Sequence, residues 1–159
     1  MTRSHAWVRK GSEYVERTPM NWGTNLTLLG AIRLSGWVVL STMFASTNKD
    51  RFVEWLANKL LPRLKPGDVL VLDNLSAHHD LRVVPLCAAR GVRVIYLPPY
   101  SHDFNPIEAA WALIKKRIRA VAPRTSATLR TTTQRAARVV RPRHCENWYT
   151  DAGYAYQLK

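Results

Sequence analysis

Acidic residues are scarce in this chain, and their distribution is uneven. Eleven Asp and Glu face 24 Lys and Arg, giving a formal charge of +13 and a pI near 10.5. No aspartate precedes Asp50, and only Glu13 and Glu16 are acidic before it. A surface so short of negative charge argues against a basic partner and favours a polyanion, nucleic acid above all. Cysteine is nearly absent: Cys87 and Cys145 match neither a disulfide framework nor a zinc-ligand spacing, which points to a reducing compartment. Long apolar runs are missing too. No stretch approaches the roughly 20 residues of a membrane span, and MTRSHAWVRKGSEY at the start has no hydrophobic region of the secretory type. There is no internal repeat and no low-complexity tract. What the chain does have is apolar content: 47% of its 159 residues, too much for a disordered polymer and enough for one domain with a sizeable core.

Hydrophobic periodicity divides the sequence. Residues 1–12 are basic and without a clear period. Glu13–Thr18 reads as a short strand, and Pro19–Gly23 as a turn. Thr24–Arg33 and Gly36–Thr42, rich in apolar and β-branched residues around Ser35-Gly36, predict an antiparallel hairpin. Between residues 48 and 65 the period becomes helical, with Phe52, Trp55, Leu56, Leu60 and Leu61 on one side, Asn48 as N-cap, and Pro62 as the stop or kink. Pro66-Gly67 then turns the chain into DVLVL (Asp68–Leu72), apolar on both faces as a central parallel strand is. A short helix over Leu81–Arg90, stopped by Gly91, and a strand over Val92–Leu97 complete a βαβ unit. Pro98–Asn105 is loop by composition. Pro106–Val121 predicts a helix with Ile107, Trp111, Ile114 and Ile118 as its buried stripe. From about residue 123 to the end the sequence predicts a basic helix (Arg130, Arg135, Arg138, Arg141) and an aromatic tail that docks back on the core.

Two acids stand where chemistry is usual, and each has a plainer explanation. Asp73 follows a strand whose carboxyl end is the ordinary ligand-binding side of an open α/β sheet, and a carboxylate there suits Mg²⁺ or Mn²⁺. Asp73-Asn74 is equally ordinary turn chemistry. Glu108 lies at the third position of a helix, after Asn105 and Pro106, and this spacing fits a capping box as well as a site acid. His78 and His79 are adjacent and so face different ways. His78 is the better candidate for a metal, proton or phosphate contact. Tyr100 and Ser101 are either phosphate contacts or a plain surface turn.

Taken together, these segments resemble the catalytic region of the mariner-like DDE transposases, in particular their bacterial insertion-sequence relatives. VLVLDNLSAHH (Val69–His79) is similar to the segment of that family's second catalytic aspartate. VIYLPPYSHDFNPIEAAWALIKKRIR (Val94–Arg119) is similar to the segment of its third acid, and the 34 residues between Asp73 and Glu108 match its spacing. TRSHAWVRKG near the start and CENWYTDAGYA near the end extend the resemblance over nearly the whole chain. The resemblance implies an α/β, ribonuclease H-like mixed sheet flanked by helices, in one domain spanning residues 1–159. It implies a mobile-element DDE endonuclease active in DNA transposition and integration. Asp73 and Glu108 would be catalytic and metal-binding, two Mg²⁺ or Mn²⁺ ions would fill the complete site, and His78, Lys115, Lys116 and Arg119 would contact DNA. For the three basic residues a solvated helix face is the plainer alternative. The partners implied are transposon-end and target DNA and further copies of the chain on DNA, in the bacterial cytoplasm at the nucleoid, with no membrane.

One departure qualifies the resemblance. The family's first aspartate sits on the central first strand, upstream of the TRSHAWVRKG-like segment, and no aspartate here occupies that place. The expectation is therefore an N-terminally incomplete catalytic domain without its first, central strand. It would be a decayed fragment, the product of a start assigned too late, or a chain whose missing part comes from an upstream reading frame. Function follows in three versions: a strand-transferase domain impaired on its own, a non-catalytic nucleic-acid-binding remnant, or, more weakly, another acid-dependent phosphohydrolase.

Overall fold

The computed structural model describes residues 9–11 and 25–155. The strand expected at Glu13–Thr18 and the turn at Pro19–Gly23 lie outside the described residues, as does most of the TRSHAWVRKG segment.

The predicted hairpin is present. Strand β1 (Thr27–Arg33) pairs antiparallel with β2 (Gly36–Met43) through the two-residue connection Leu34-Ser35. The register passes from Ala31↔Val39 to Ile32↔Trp37, so Val38 is the extra residue of a bulge, which bends the ribbon. Gly30 is required by packing. A Cβ there would stand 2.9 Å from the rings of both Trp37 and Trp111, so only glycine lets the hairpin lie this close beneath them.

Helix α1 (Lys49–Trp55) starts where expected, the Asn48 side chain accepting the Arg51 N–H at 2.9 Å. It does not run on regularly. Leu56–Leu60 forms a π turn and Leu61–Arg63 a 3₁₀ turn. Pro62 has no N–H to give and its ring crowds the carbonyl four residues back, so the ladder widens before it and tightens after it. Strand β3 (Val69–Leu72) and strand β4 (Arg93–Tyr96) pair in parallel, in register Val69↔Arg93 to Leu72↔Tyr96. The crossover between them carries α2 (Val83–Ala88), which closes at Gly91 in a left-handed conformation (φ 67°). This helix is shorter than predicted because Asp80 takes the Arg82 N–H with its own carboxylate and holds the first residues as a turn.

Helix α3 (Pro106–Val121) has the predicted bounds. Helix α4 (Ser126–Ala137) begins at a Thr125–Thr128 capping box. The aromatic tail is itself a helix, α5 (Pro142–Asp151), which sequence reading left as a tail; Pro142 sits at its first turn.

The elements stack in layers around the hairpin. On one side, α1, its π turn, α2 and the Leu70/Leu72 face of β3 enclose a core of Phe52, Leu56, Leu60, Val83 and Cys87, against which Leu29 and Ala31 of β1 also pack. On the other side, Leu28, Trp37 and Leu40 of the hairpin meet Ile114 and Ile118 of α3 and Ala136 and Ala137 of α4. A third cluster joins Ala110, Val140 and Cys145 under Trp37 and Ile32. Each buried Phe, Leu, Ile or Val among them contributes about 1.5–3 kcal/mol through burial. Trp37 links the second and third clusters, and its Nε1–H donates to the Ala137 carbonyl at 3.1 Å. Mixed α/β architecture is as expected, but the strands of the described residues form two separate pairs, β1–β2 and β3–β4, with no ladder between them. No helix among the described residues is long and apolar enough to cross a membrane.

Candidate active site

Between the two strand pairs lies a cleft of about 810 Å³. Its walls are β1 and β3, with Ile107 and Trp111 of α3 and Tyr149 and Tyr154 from the C-terminal part closing it. Most of the lining is apolar. Its polar lining includes the Arg33–Asp68 pair, the Asp73–His78 pair, Asn105 and Glu108.

Asp73 is placed by β3, whose apolar residues fix its register, and it emerges at the strand's carboxyl end. Its Oδ1 accepts the Leu75 N–H at 3.2 Å, so the turn chemistry read from Asp73-Asn74 is present. The same oxygen lies 2.6 Å from His78 Nδ1. Among the described residues, Oδ2 is engaged by no hydrogen bond, so the turn does not use up the carboxylate. Desolvation pushes the carboxyl pKa up. The His78 hydrogen bond and charge, the Leu75 N–H and the more distant His102 outweigh it and hold the group below its ordinary value of 3.8. The stability this contributes is present above that value and is lost as pH falls through the lowered one.

His78 is held as firmly as the acid. Its ring lies 4.3 Å from that of Phe52, and its carbonyl accepts the Tyr96 hydroxyl at 2.9 Å. His79 faces away, stacked on Tyr96 at 4.4 Å and hydrogen-bonded to the Asn74 side chain. Glu108 stands in the first turn of α3, half-buried at the cleft. The capping box that would explain it is not formed: Asn105 makes no side-chain cap, and the Glu108 N–H bonds to the Asn105 backbone carbonyl at 3.0 Å. Lys115 and Arg119, seven and eleven residues on, share its helical face, and Lys116 lies beside them; all three are exposed. Asp50, the first aspartate of the chain, is away from this group. It pairs with Arg82 at 2.6 Å, and Arg82 also holds Asp80 at 2.7 Å.

Sequence reasoning missed His102, Tyr149 and Tyr154 as neighbours of the site. His102 and Tyr154 carry no spacing signal. Tyr149 was visible only as one of several aromatics near the end of the chain. Its hydroxyl donates to the Ile32 carbonyl at 3.0 Å, and burial pushes its pKa up to about 12. Tyr100, in the loop before Glu108, is exposed and held at φ 60°, while Ser101 Oγ donates to the Pro99 carbonyl. Two carboxylates at one cleft are suitable oxygen donors for a hard divalent cation. No group of three or more His, Cys, Asp or Glu side chains suited to a metal ion occurs among the described residues.

The fold is similar to that of solved Mos1 transposase complexes. The Mos1 strand transfer complex matches with a TM-score of 0.60 at 16% identity, over 98% of this chain and 51% of that one. The Mos1 mariner paired-end complex with Mn matches with a TM-score of 0.55 at 18% identity, over 98% and 52%. The Mos1 paired-end complex with the left transposon end gives 0.55 and 18%, over 96% and 52%. The chain thus spans about half the length of these solved chains. No curated protein matches it. Residues 1–130 match the model of the DDE superfamily endonucleases, and the chain belongs to that family.

Proposed function

We propose that this chain is a transposase catalytic domain that cleaves DNA strands and joins them to new sites, using Asp73 and Glu108 as two of its metal-binding acids. The observation that carries this reading is the convergence of Asp73 and Glu108, from different elements, on one cleft beside the basic face of α3. These two carboxylates would hold Mg²⁺ or Mn²⁺. When bound, divalent ions (two in a complete site) activate water or a 3′-hydroxyl and neutralise charge on the phosphodiester. The chain's own residues do the positioning. His78 clamps Asp73 through Oδ1 and leaves Oδ2 without a hydrogen bond among the described residues. Lys115, Lys116 and Arg119 bind backbone phosphates along the helix that presents Glu108, where strand position is set by charge and not by base identity. Phosphoryl transfer asks mainly for such positioning and charge neutralisation.

Transposon-end and target DNA are the partners this reading implies, engaged by more than one copy of the chain. A second reading, a DNA-binding remnant without catalysis, is favoured by the absence, among the described residues, of any group of three His, Cys, Asp or Glu side chains suited to a metal ion. One experiment separates them. Purified chain is mixed with end-containing DNA in Mg²⁺ or Mn²⁺, beside Asp73→Asn and Glu108→Gln variants. Nicking that both substitutions abolish, with DNA affinity retained, is the expected result. Salt-sensitive binding with no cleavage in either metal selects the remnant, and affinity indifferent to salt removes both.

A further inference from the structure

The loop between β4 and α3 joins the two acids of the site, and it carries a side chain that the fold does not use. It leaves β4 at Leu97, whose N–H donates at 2.8 Å to the carbonyl of Leu72, the residue before Asp73. It ends at Asn105 and Pro106, which line the cleft and start the helix that presents Glu108. His102, midway along it, is close enough for its charge to be felt at Asp73. Between these anchors the backbone is braced. Pro98 and Pro99 fix two φ angles, and His102–Phe104 forms a 3₁₀ turn. The Phe104 and Asn105 N–H groups donate to the Ser101 and His102 carbonyls at 3.2 and 2.9 Å. The Tyr154 hydroxyl donates to the Phe104 carbonyl at 3.0 Å.

On this braced loop Tyr100 is 97% exposed and stands at φ 60°. A left-handed backbone costs a residue with a side chain free energy that glycine would avoid. Burial of the ring offsets almost none of that cost. The loop therefore displays a fixed aromatic face, with Phe104 half-exposed four residues on. A phosphate contact, the other use open to this segment, finds little support in it. Ser101 Oγ is turned to the Pro99 carbonyl at 3.3 Å. The only formally charged side chain between Pro98 and Asn105 is that of Asp103, which repels phosphate.

We propose that the Tyr100 ring is a stacking platform for one unpaired nucleobase of the DNA strand held at the cleft. The proposal rests on the DNA-processing reading above and adds how a strand is seated beside the two acids. A ring already fixed in place loses little freedom on stacking. Every base has a face to offer, so this contact is indifferent to sequence. Inside a duplex both faces of a base are covered by its neighbours, which restricts the platform to a base that is out of the stack. Charge selects the kind of partner: 24 Lys and Arg against 11 Asp and Glu draw in a polyanion. The ring then does what charge alone does not. It holds one nucleotide in place while Lys115, Lys116 and Arg119 hold phosphates that slide freely past one another.

The test uses the purified 159-residue chain without divalent ions, so that no strand is cut. The probe is single-stranded oligothymidylate of about twelve nucleotides with one central 2-aminopurine. Its counterpart is the same strand annealed to its complement. The expected result is quenching of the 2-aminopurine fluorescence when the single strand binds, and an affinity about tenfold lower in Tyr100→Asn. Tyr100→Phe keeps the ring and therefore the affinity. Asparagine adopts the left-handed conformation readily and the position is exposed, so the melting temperature of Tyr100→Asn should not fall. The slope of log affinity against log salt should be the same in the parent and in Tyr100→Asn, whereas Lys115→Ala lowers it. Salt-dependent binding of equal strength in the parent and Tyr100→Asn would overturn the platform and leave the DNA-processing reading standing. So would a lowered salt slope in Tyr100→Asn, or an equal loss of affinity for the duplex. Failure to bind either DNA would remove both, and the cleavage assay decides the catalytic reading separately. A chain that dimerises through Tyr100 in the absence of DNA would also overturn the proposal, because a second copy would then be the occupant.

Discussion

The two strand pairs differ in length, 7 and 8 residues against 4 and 4, and in how they are covered. The antiparallel pair is contacted on both faces, Leu29 and Ala31 reaching the α1 core while Leu28, Trp37 and Leu40 reach α3 and α4. The parallel pair is covered on one face only, where Leu70 and Leu72 are buried, and Val69 and Ile95 on its other face remain open. Isolated two-stranded sheets are marginal in water, and parallel pairing is the weaker kind. The parallel pair therefore depends on what lies beneath it. Among the described residues, the side of the molecule that holds Asp73 is a platform packed from one side.

The sharpest way to break this comparison is to remove a core side chain from each face of the platform. Phe52, 2% exposed, supports β3 and the His78 ring from below. Phe52→Ala is expected to cost about 3–5 kcal/mol in urea unfolding. Ile95→Ala on the open face should cost less than about 1 kcal/mol, because little burial is lost. Equal costs would mean that the open face is covered. The next test addresses the wall that closes the cleft. Tyr149 is neutral up to about pH 12 in the fold and to about pH 10 when unfolded, so the folded state keeps a proton the unfolded state has lost. Its contribution is full below pH 10 and falls as pH rises toward 12, by about 2–3 kcal/mol. Subtracting the Tyr149→Phe stability profile from that of the parent should isolate this step; a flat difference would show a solvent-accessible hydroxyl. The smallest effect belongs to the helical side. Thr125 begins α4 by accepting the Thr128 N–H at 3.2 Å, and Thr125→Ala should cost about 1 kcal/mol without changing the Asp73 side. A larger loss, or altered exchange at Val71, would mean the two sides are coupled more tightly than the separate cores indicate.

The sequence was most legible where one residue type has one physical meaning. Ser35-Gly36 between apolar runs predicted the hairpin, DVLVL a parallel strand, though its Val69 is exposed and not buried as a central strand's would be, and Asn105-Pro106 the start of α3. Legibility failed where partners distant in the chain decide. Pro62 announced a stop, but whether the preceding turns stay α-helical depends on how Leu56 and Leu60 seat in the core. The tail was helical because Cys145 and Trp148 pack beneath the hairpin, a contact no local period displays. At the cleft, Asp73 and Glu108 were singled out as candidates from their flanking residues. The choice between cap and cleft for Glu108 turned on a hydrogen bond that Asn105 does not make. His78 was singled out, but not its grip on Asp73, which needs the Phe52 ring and the Tyr96 hydroxyl in place.

The bond from Trp37 to the Ala137 carbonyl joins residues 100 positions apart, while the platform under Asp73 is built from one continuous stretch, Lys49 to Tyr96. Closing so long a loop adds little to the equilibrium cost, but it delays the contacts that depend on it. During synthesis the stretch from Lys49 to Tyr96 emerges complete before α4 exists, so the hydrogen bond from Trp37 and the packing of α4 on the hairpin are the last to form, and the helical side of the molecule is completed after the side that holds Asp73.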